Sequence, residues 1–142
     1  MKIKKKVMVF GTFDGLHQGH LNLFKQARDI FPNTYLVVSV ARDKNVFKIK
    51  GVRTLMKEKG RMKLIRATGL VDKVVLSGIS NHIPHILKEK PDAIALGYDQ
   101  THYVKNLKQD LKKKGLEVEI FRMKPYKKHI YKNHLLKKKA RL

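Results

Sequence analysis

Gly11-Thr12-Phe13-Asp14-Gly15-Leu16-His17-Gln18-Gly19-His20 decides how this chain is read. It follows the apolar run Val7–Phe10, which reads as a short buried strand. It opens a segment, His17 to Phe31, in which Leu21, Phe24, Ala27 and Phe31 recur at spacings of three and four, the pattern of one helix face. A glycine such as Gly11 lets backbone approach a ligand with no side chain in the way. The N-terminus of the helix offers N–H groups and a positive dipole end, which suit a phosphate. His17 and His20, three apart, share a face of the first turn, and Gly19 between them leaves room for a ribose or base. Two imidazoles so placed can donate hydrogen bonds to phosphate oxygens whose charge grows in a transition state. The plainer reading is a capped helix with Asp14 near its start and two polar residues on its first turn. The histidine pair, the glycines and the position after the first strand together argue against coincidence. The segment is neither a Walker phosphate loop nor a GxGxxG fingerprint.

Working outward, strands and helices alternate. Strands are expected at Tyr35–Val40, Val71–Leu76, Ala93–Leu96 and Glu117–Phe121. Helices are expected at Glu58–Thr68, His82–Glu89 and Thr101–Lys114, and residues 41–56 read as a basic loop. That order implies a single α/β, Rossmann-like domain: a five-stranded parallel sheet with helices on both faces. Ligands of such sheets bind beyond the carboxyl ends of the strands, so the loops of interest are 11–16, 41–57, 77–81 and 97–101. The domain is expected to span residues 1–121. Residues 122–142 form a basic C-terminal segment with nine Lys/Arg and no acid, expected to end in a helix from Tyr131 that packs on the same domain.

With 142 residues the chain fits one domain with its own core. It has no cysteine, which excludes disulfides and thiolate metal sites. Four apolar residues before Gly11 are too few for a signal peptide or membrane span, so a cytoplasmic protein with no membrane partner is expected. The formal charge of +22 attracts anions: nucleotides, phosphorylated metabolites or nucleic acid.

The quoted decapeptide resembles the GTFDxxHxGH mark of the cytidylyltransferase-like nucleotidyltransferases, matching at Gly11, Thr12, Phe13, Asp14, His17, Gly19 and His20. The likeness continues through Lys48-Ile49-Lys50, Arg61, Val71-Asp72 and Gly97-Tyr98-Asp99-Gln100. Within that superfamily the runs ARDKNVFKIKG and ALGYDQ look most like archaeal-type FAD synthases. The resemblance implies the HxGH nucleotidyltransferase fold, with His17 and His20 on the phosphates of an NTP, ATP or CTP. Thr12 and Phe13 would lie against the nucleotide and Asp14 near the phosphates and metal. Lys48, Lys50 and Lys44 would meet phosphates; Arg61, which by position alone reads as solvent-facing on its helix, would lean slightly the same way. Gly97, Tyr98, Asp99 and Gln100 would line the nucleoside pocket. It implies Mg²⁺ carried on the substrate rather than a metal site in the protein, and it allows a homodimer. Where these families carry a late Ser/Thr pair, this chain reads Tyr131-Lys132-Asn133-His134. His82, His85, His102, His129 and His134 form no metal spacing and read as structural or surface residues.

The expected reaction is transfer of a nucleotidyl group to a phosphorylated small molecule with release of pyrophosphate. The acceptor phosphate is anionic near neutral pH, so positioning and charge neutralisation suffice without a strong general base. FMN adenylylation comes first among the acceptor choices. A CTP-dependent enzyme acting on glycerol 3-phosphate is the alternative. A third reading, a basic nucleic-acid-binding protein on a disused enzyme fold, draws on Tyr126 and Tyr131 among lysines. It leaves the paired histidines unexplained.

Overall fold

The computed structural model describes residues 4–78, 82–100 and 105–126. Five parallel strands form one sheet: β1 (Lys5–Gly11), β2 (Thr34–Val40), β3 (Lys73–Leu76), β4 (Ala93–Leu96) and β5 (Glu119–Arg122), in the order β3-β2-β1-β4-β5. The central strands are nearly continuous runs of β-branched and aliphatic residues because both faces are covered. Val7 and Val9 pack on one face with Phe24 and Ala27 of α1 (Gln18–Arg28). Ile65 of α3 (Glu58–Ala67) joins the same core. Met8, pointing the other way, packs with Ile86 of α4 (His82–Glu89) and with Leu107 and Leu111 of α5 (Leu107–Lys113). The expected fold class therefore holds, with α1 and α3 on one face and α4 and α5 on the other.

The chain runs β1, β2, β3 outward on one side, then returns to place β4 and β5 on the other. The strand order thus reverses between β1 and β4, where a doubly wound sheet opens its crevice. Two side chains brace that junction. The Gln100 side chain accepts from Gly97 N–H at 2.8 Å and donates to the Phe10 carbonyl at 2.7 Å. Arg122 donates to the carbonyls of Gly97 and Gln100. Residue 122 belongs to β5, one residue beyond the strand expected, and Met123 is part of the core.

Several elements differ from the sequence expectation. Residues 41–56 are not simply a loop, since α2 (Asp43–Lys50) lies within them. Only Val46 of that helix is buried, so no apolar periodicity announced it. α1 stops at Arg28 rather than Phe31 because the Thr34 hydroxyl takes up the Arg28 carbonyl at 2.9 Å. β3 starts at Lys73, since the Asp72 carboxylate accepts from Leu36 N–H and Arg28 instead of leaving that segment to extend. β5 begins at Glu119, not Glu117. Within 101–114, residues 105–106 form a turn before α5, and 101–104 lie outside the described residues. The expected final helix from Tyr131 also lies outside them, as do His102, His129 and His134.

Candidate active site

The loop after β1 and the first turn of α1 form one side of a cleft of about 450 Å³, within the range of small-molecule sites. Gly11, Thr12, Phe13, Asp14 and His20 line this side; Gly97, Asp99 and Gln100 come from the loop after β4; Val46 and Lys50 of α2, with Val52, Arg53 and Thr54 beyond it, form the third wall. Phe10 and Leu23 complete it.

The two histidines build their own platform. His17 is the N-cap of α1, and its Nδ1 accepts from Gly19 N–H at 3.0 Å. His20 Nδ1 accepts in return from His17 N–H at 3.3 Å. This is a capping box made with imidazoles in place of hydroxyl and carboxylate. A neutral imidazole whose Nδ1 accepts carries its proton on Nε2. The cap therefore sets both tautomers as Nε2–H donors. It also changes the expected role of the helix end: Gly19 N–H serves the cap and His20 N–H turns back to the His17 carbonyl at 3.0 Å. Of the two rings, His20 lines the cleft, whereas His17 lies outside its lining.

Burial, then the neighbouring His17, lowers the pKa of His20 from 6.5 to about 4. Desolvation lowers that of His17 as well. Near neutral pH both rings are uncharged.

Each remaining residue of the motif has a defined place. Phe13 is buried, stands edge-on to His20 with ring centroids 5.3 Å apart, and packs on Phe24. Its backbone sits at a φ of 54°, costly for a bulky residue. A Cβ on Gly11 would come within 2.7 Å of the Phe13 ring, so Gly11 makes room for Phe13 as well as lining the cleft. Gly19 is outside the lining. A Cβ there would meet the His17 ring at 2.7 Å, so its missing side chain makes room for the cap. Asp14 does not cap α1. Its carboxylate accepts from Leu55 N–H at 2.7 Å and Met56 N–H at 2.9 Å, fastening the segment after α2 to the motif.

Arg61 departs furthest from expectation, being neither solvent-facing nor in the cleft wall. Its side chain is 0% exposed and donates to the Thr12 and Met56 carbonyls and to Asp43. Desolvation works to raise the Asp43 pKa, but Arg61, the Glu58 N–H and Thr54 together hold it below its usual value. Lys48 and Lys44 are exposed on α2 and lie outside the cleft wall, whereas Lys50 lines it. Tyr98 is half-buried beside the lining residues Gly97 and Asp99. Burial, then Asp99, raises its pKa. Arg53 and Thr54 were not singled out from sequence, since their place depends on the turn after α2 and on the Asp14 fastening. The signal available was Asp43 at the helix start with Gly51 at its end. His85 is structural, its Nε2 lying 2.8 Å from Ser39 Oγ and its ring edge-on to Phe10.

No group of three or more His, Cys, Asp or Glu side chains among the described residues converges to hold a metal ion. The acids at the cleft are Asp14, already held by two N–H groups, and Asp99. That donor set fits a cation brought in on phosphate oxygens and water, with few protein ligands. No helix among the described residues is long and apolar enough to cross a membrane.

A parallel sheet with a paired-imidazole helix entrance at its reversal point defines a nucleotide- and phosphate-handling α/β enzyme. The chain belongs to the cytidylyltransferase-like family, whose model matches residues 8–138, and it is a nucleotidyltransferase. It is 41% identical over 124 residues to the FAD synthase of Korarchaeum cryptofilum, covering 87% of this chain and 84% of that protein. It is 40% identical over 120 residues to the FAD synthase of Ferroglobus placidus, covering 84% and 76%. The crystal structure of the lipopolysaccharide core biosynthesis protein of Thermoplasma volcanium superposes with a TM-score of 0.79 at 34% identity, covering 86% of this chain and 98% of that one.

Proposed function

We propose that this protein is an FMN adenylyltransferase, forming FAD and pyrophosphate from ATP and FMN. The observation that carries the reading is its likeness, at about 40% identity over most of the chain, to two FAD synthases. The cleft chemistry agrees with it. The α-phosphate of ATP lies at His20, with His17 behind it, and the Nε2–H groups donate to its non-bridging oxygens. A phosphate oxygen of FMN forms the new bond to the α-phosphorus as the bond to the bridging oxygen of pyrophosphate breaks. The leaving pyrophosphate takes that oxygen and its electron pair. FMN phosphate is already deprotonated, so the step needs alignment and charge neutralisation more than proton removal. Lys50 supplies positive charge at the cleft wall. Gly97, Asp99 and Gln100 bound the nucleoside end. Mg²⁺ bound to the triphosphate would neutralise charge on the phosphates and the leaving group.

Incubating the protein with FMN, Mg²⁺ and each NTP in turn, and separating the flavins chromatographically, tests this. FAD formed with ATP, and lost in His20→Ala, is the expected result. Absence of FAD under all these conditions, with turnover of CTP and glycerol 3-phosphate instead, would overturn it.

A further inference from the structure

We infer that Phe47, Val52 and Arg53 form the seat of the acceptor's aromatic ring. This deepens the FMN reading and rests on it. Four of the six large hydrophobic residues exposed among those described lie between 47 and 55: Phe47 at 51%, Ile49 at 65%, Val52 at 60% and Leu55 at 92%. They fall on one short stretch of chain, and exposed apolar side chains gathered on so short a segment point to a binding surface. The segment reaches the cleft through Val52 and Arg53, which line it, and Phe47, outside the lining, adjoins it through Arg53.

The segment is also held in place. α2 ends at Gly51, whose N–H reaches the Phe47 carbonyl at 2.8 Å. The single Thr54 Oγ1–H points between the Met56 carbonyl at 2.6 Å and Asp43 at 3.2 Å, the shorter contact leading, and the Asp14 carboxylate holds residues 55 and 56. Between these anchors the Arg53 guanidinium lies 5.6 Å from the centre of the Phe47 ring. A cation on an aromatic face presents a flat, weakly hydrated surface with outward N–H donors.

That surface suits a fused ring system bearing carbonyl acceptors. Lys50, on the same wall, supplies a charge for the phosphate of the same molecule. A phosphorylated alcohol without a ring has no apolar area to cover these residues. The wall formed by α2 and its following turn thus favours an aromatic phosphate ester over glycerol 3-phosphate.

Quenching of FMN fluorescence by the full-length protein, without ATP, measures ring binding apart from turnover. Phe47→Ala, Val52→Ser and Arg53→Ala replace exposed side chains, so circular dichroism should match the parent. Each is expected to weaken FMN binding roughly three- to tenfold, while the KM for the NTP stays within about twofold. Phe47→Tyr should retain parent affinity, and riboflavin, which has the ring but no phosphate, should compete. Unchanged FMN affinity in all three variants would overturn the inference, as would an equal rise in the NTP KM. So would conversion of a dimer to a monomer by Phe47→Ala with FMN binding intact, which would make the patch an interface between copies. The two readings fail separately. If the protein makes no FAD but nucleotidylates another aromatic phosphate whose KM rises in these variants, the ring seat stands and FMN falls. If its acceptor has no ring and the variants turn it over normally, both fall.

Discussion

His17 and His20 stack face to face, their ring centroids 3.9 Å apart and their planes 22° from parallel. Two imidazolium ions could not share that spacing without repulsion in a partly desolvated site. The stack and the cap thus favour the same state, two neutral rings with the proton on Nε2. A bound triphosphate changes the balance, since its negative charge favours a proton on either ring.

Acid should expose this coupling. With the pKa of His20 lowered from 6.5 to about 4, the unfolded chain holds a proton at residue 20 that the folded chain lacks between those values. Stability then rises with pH across that window, is fully present above 6.5, and is lost as pH falls toward 4. Proton NMR titration of the imidazole signals should place His20 near 4 in the free protein and move it upward when ATP is added. A midpoint near 6.5 in the free protein would contradict the stacked, capped arrangement.

Gly19→Ala separates catalysis from folding. Alanine favours a helix by about 1 kcal/mol over glycine, and losing the N-cap costs about 1 kcal/mol. Urea unfolding should therefore shift little. The new methyl group would strike the His17 ring at 2.7 Å and break both the tautomer lock and the stack. Turnover should drop roughly 10²-fold, the scale of losing one oriented transition-state donor. Full activity in this variant would show that the cap does not orient the rings.

The strands and the motif were legible from sequence because their signals are local. Val7–Phe10, Tyr35–Val40 and Ala93–Leu96 are apolar runs closed by turn residues, and His17 and His20 are three apart in any helix. α2 was not legible, because a helix with one buried residue has no stripe to detect. Nor was the task of Arg61. An arginine between Gly60 and Met62 reads as surface charge until the fold brings Thr12, from a loop 49 positions earlier, against it. Long-range polar partners are set by topology, and single-sequence periodicity does not carry them.

Arg61 should behave as a keystone rather than a substrate contact. Its removal strips the Thr12 and Met56 carbonyls of their donor and leaves Asp43 without its charge partner. Asp43 is 37% exposed, so water screens the carboxylate left behind, but each part-buried carbonyl that loses its donor costs about 1–3 kcal/mol, so Arg61→Ala should unfold at lower urea. Arg61→Lys should also lose stability, because one ammonium cannot serve three acceptors on different segments. A stable Arg61→Lys protein with only a raised ATP KM would instead make it a phosphate ligand.

Asp14 links the loop after β1 to the wall across the cleft, and that link can be cut selectively. In Asp14→Asn one carboxylate oxygen becomes an NH₂ facing a backbone N–H, so one of the bonds to Leu55 and Met56 is lost and the other weakened. The loss for an exposed-to-half-buried pair of charge-assisted bonds is about 1–3 kcal/mol. It falls on the short segment after α2 rather than on the core, which α3 and the sheet hold independently. Local opening should then outpace global unfolding. Trypsin should cut after Arg53 roughly ten times faster than in the parent, with global urea unfolding moved far less. The KM for the acceptor should rise more than that for ATP, because Val52 and Arg53 hang from this fastening while Gly97, Asp99 and Gln100 do not. Equal cleavage rates at Arg53 in the two proteins would mean that Thr54 alone holds the segment and that Asp14 serves the phosphates directly.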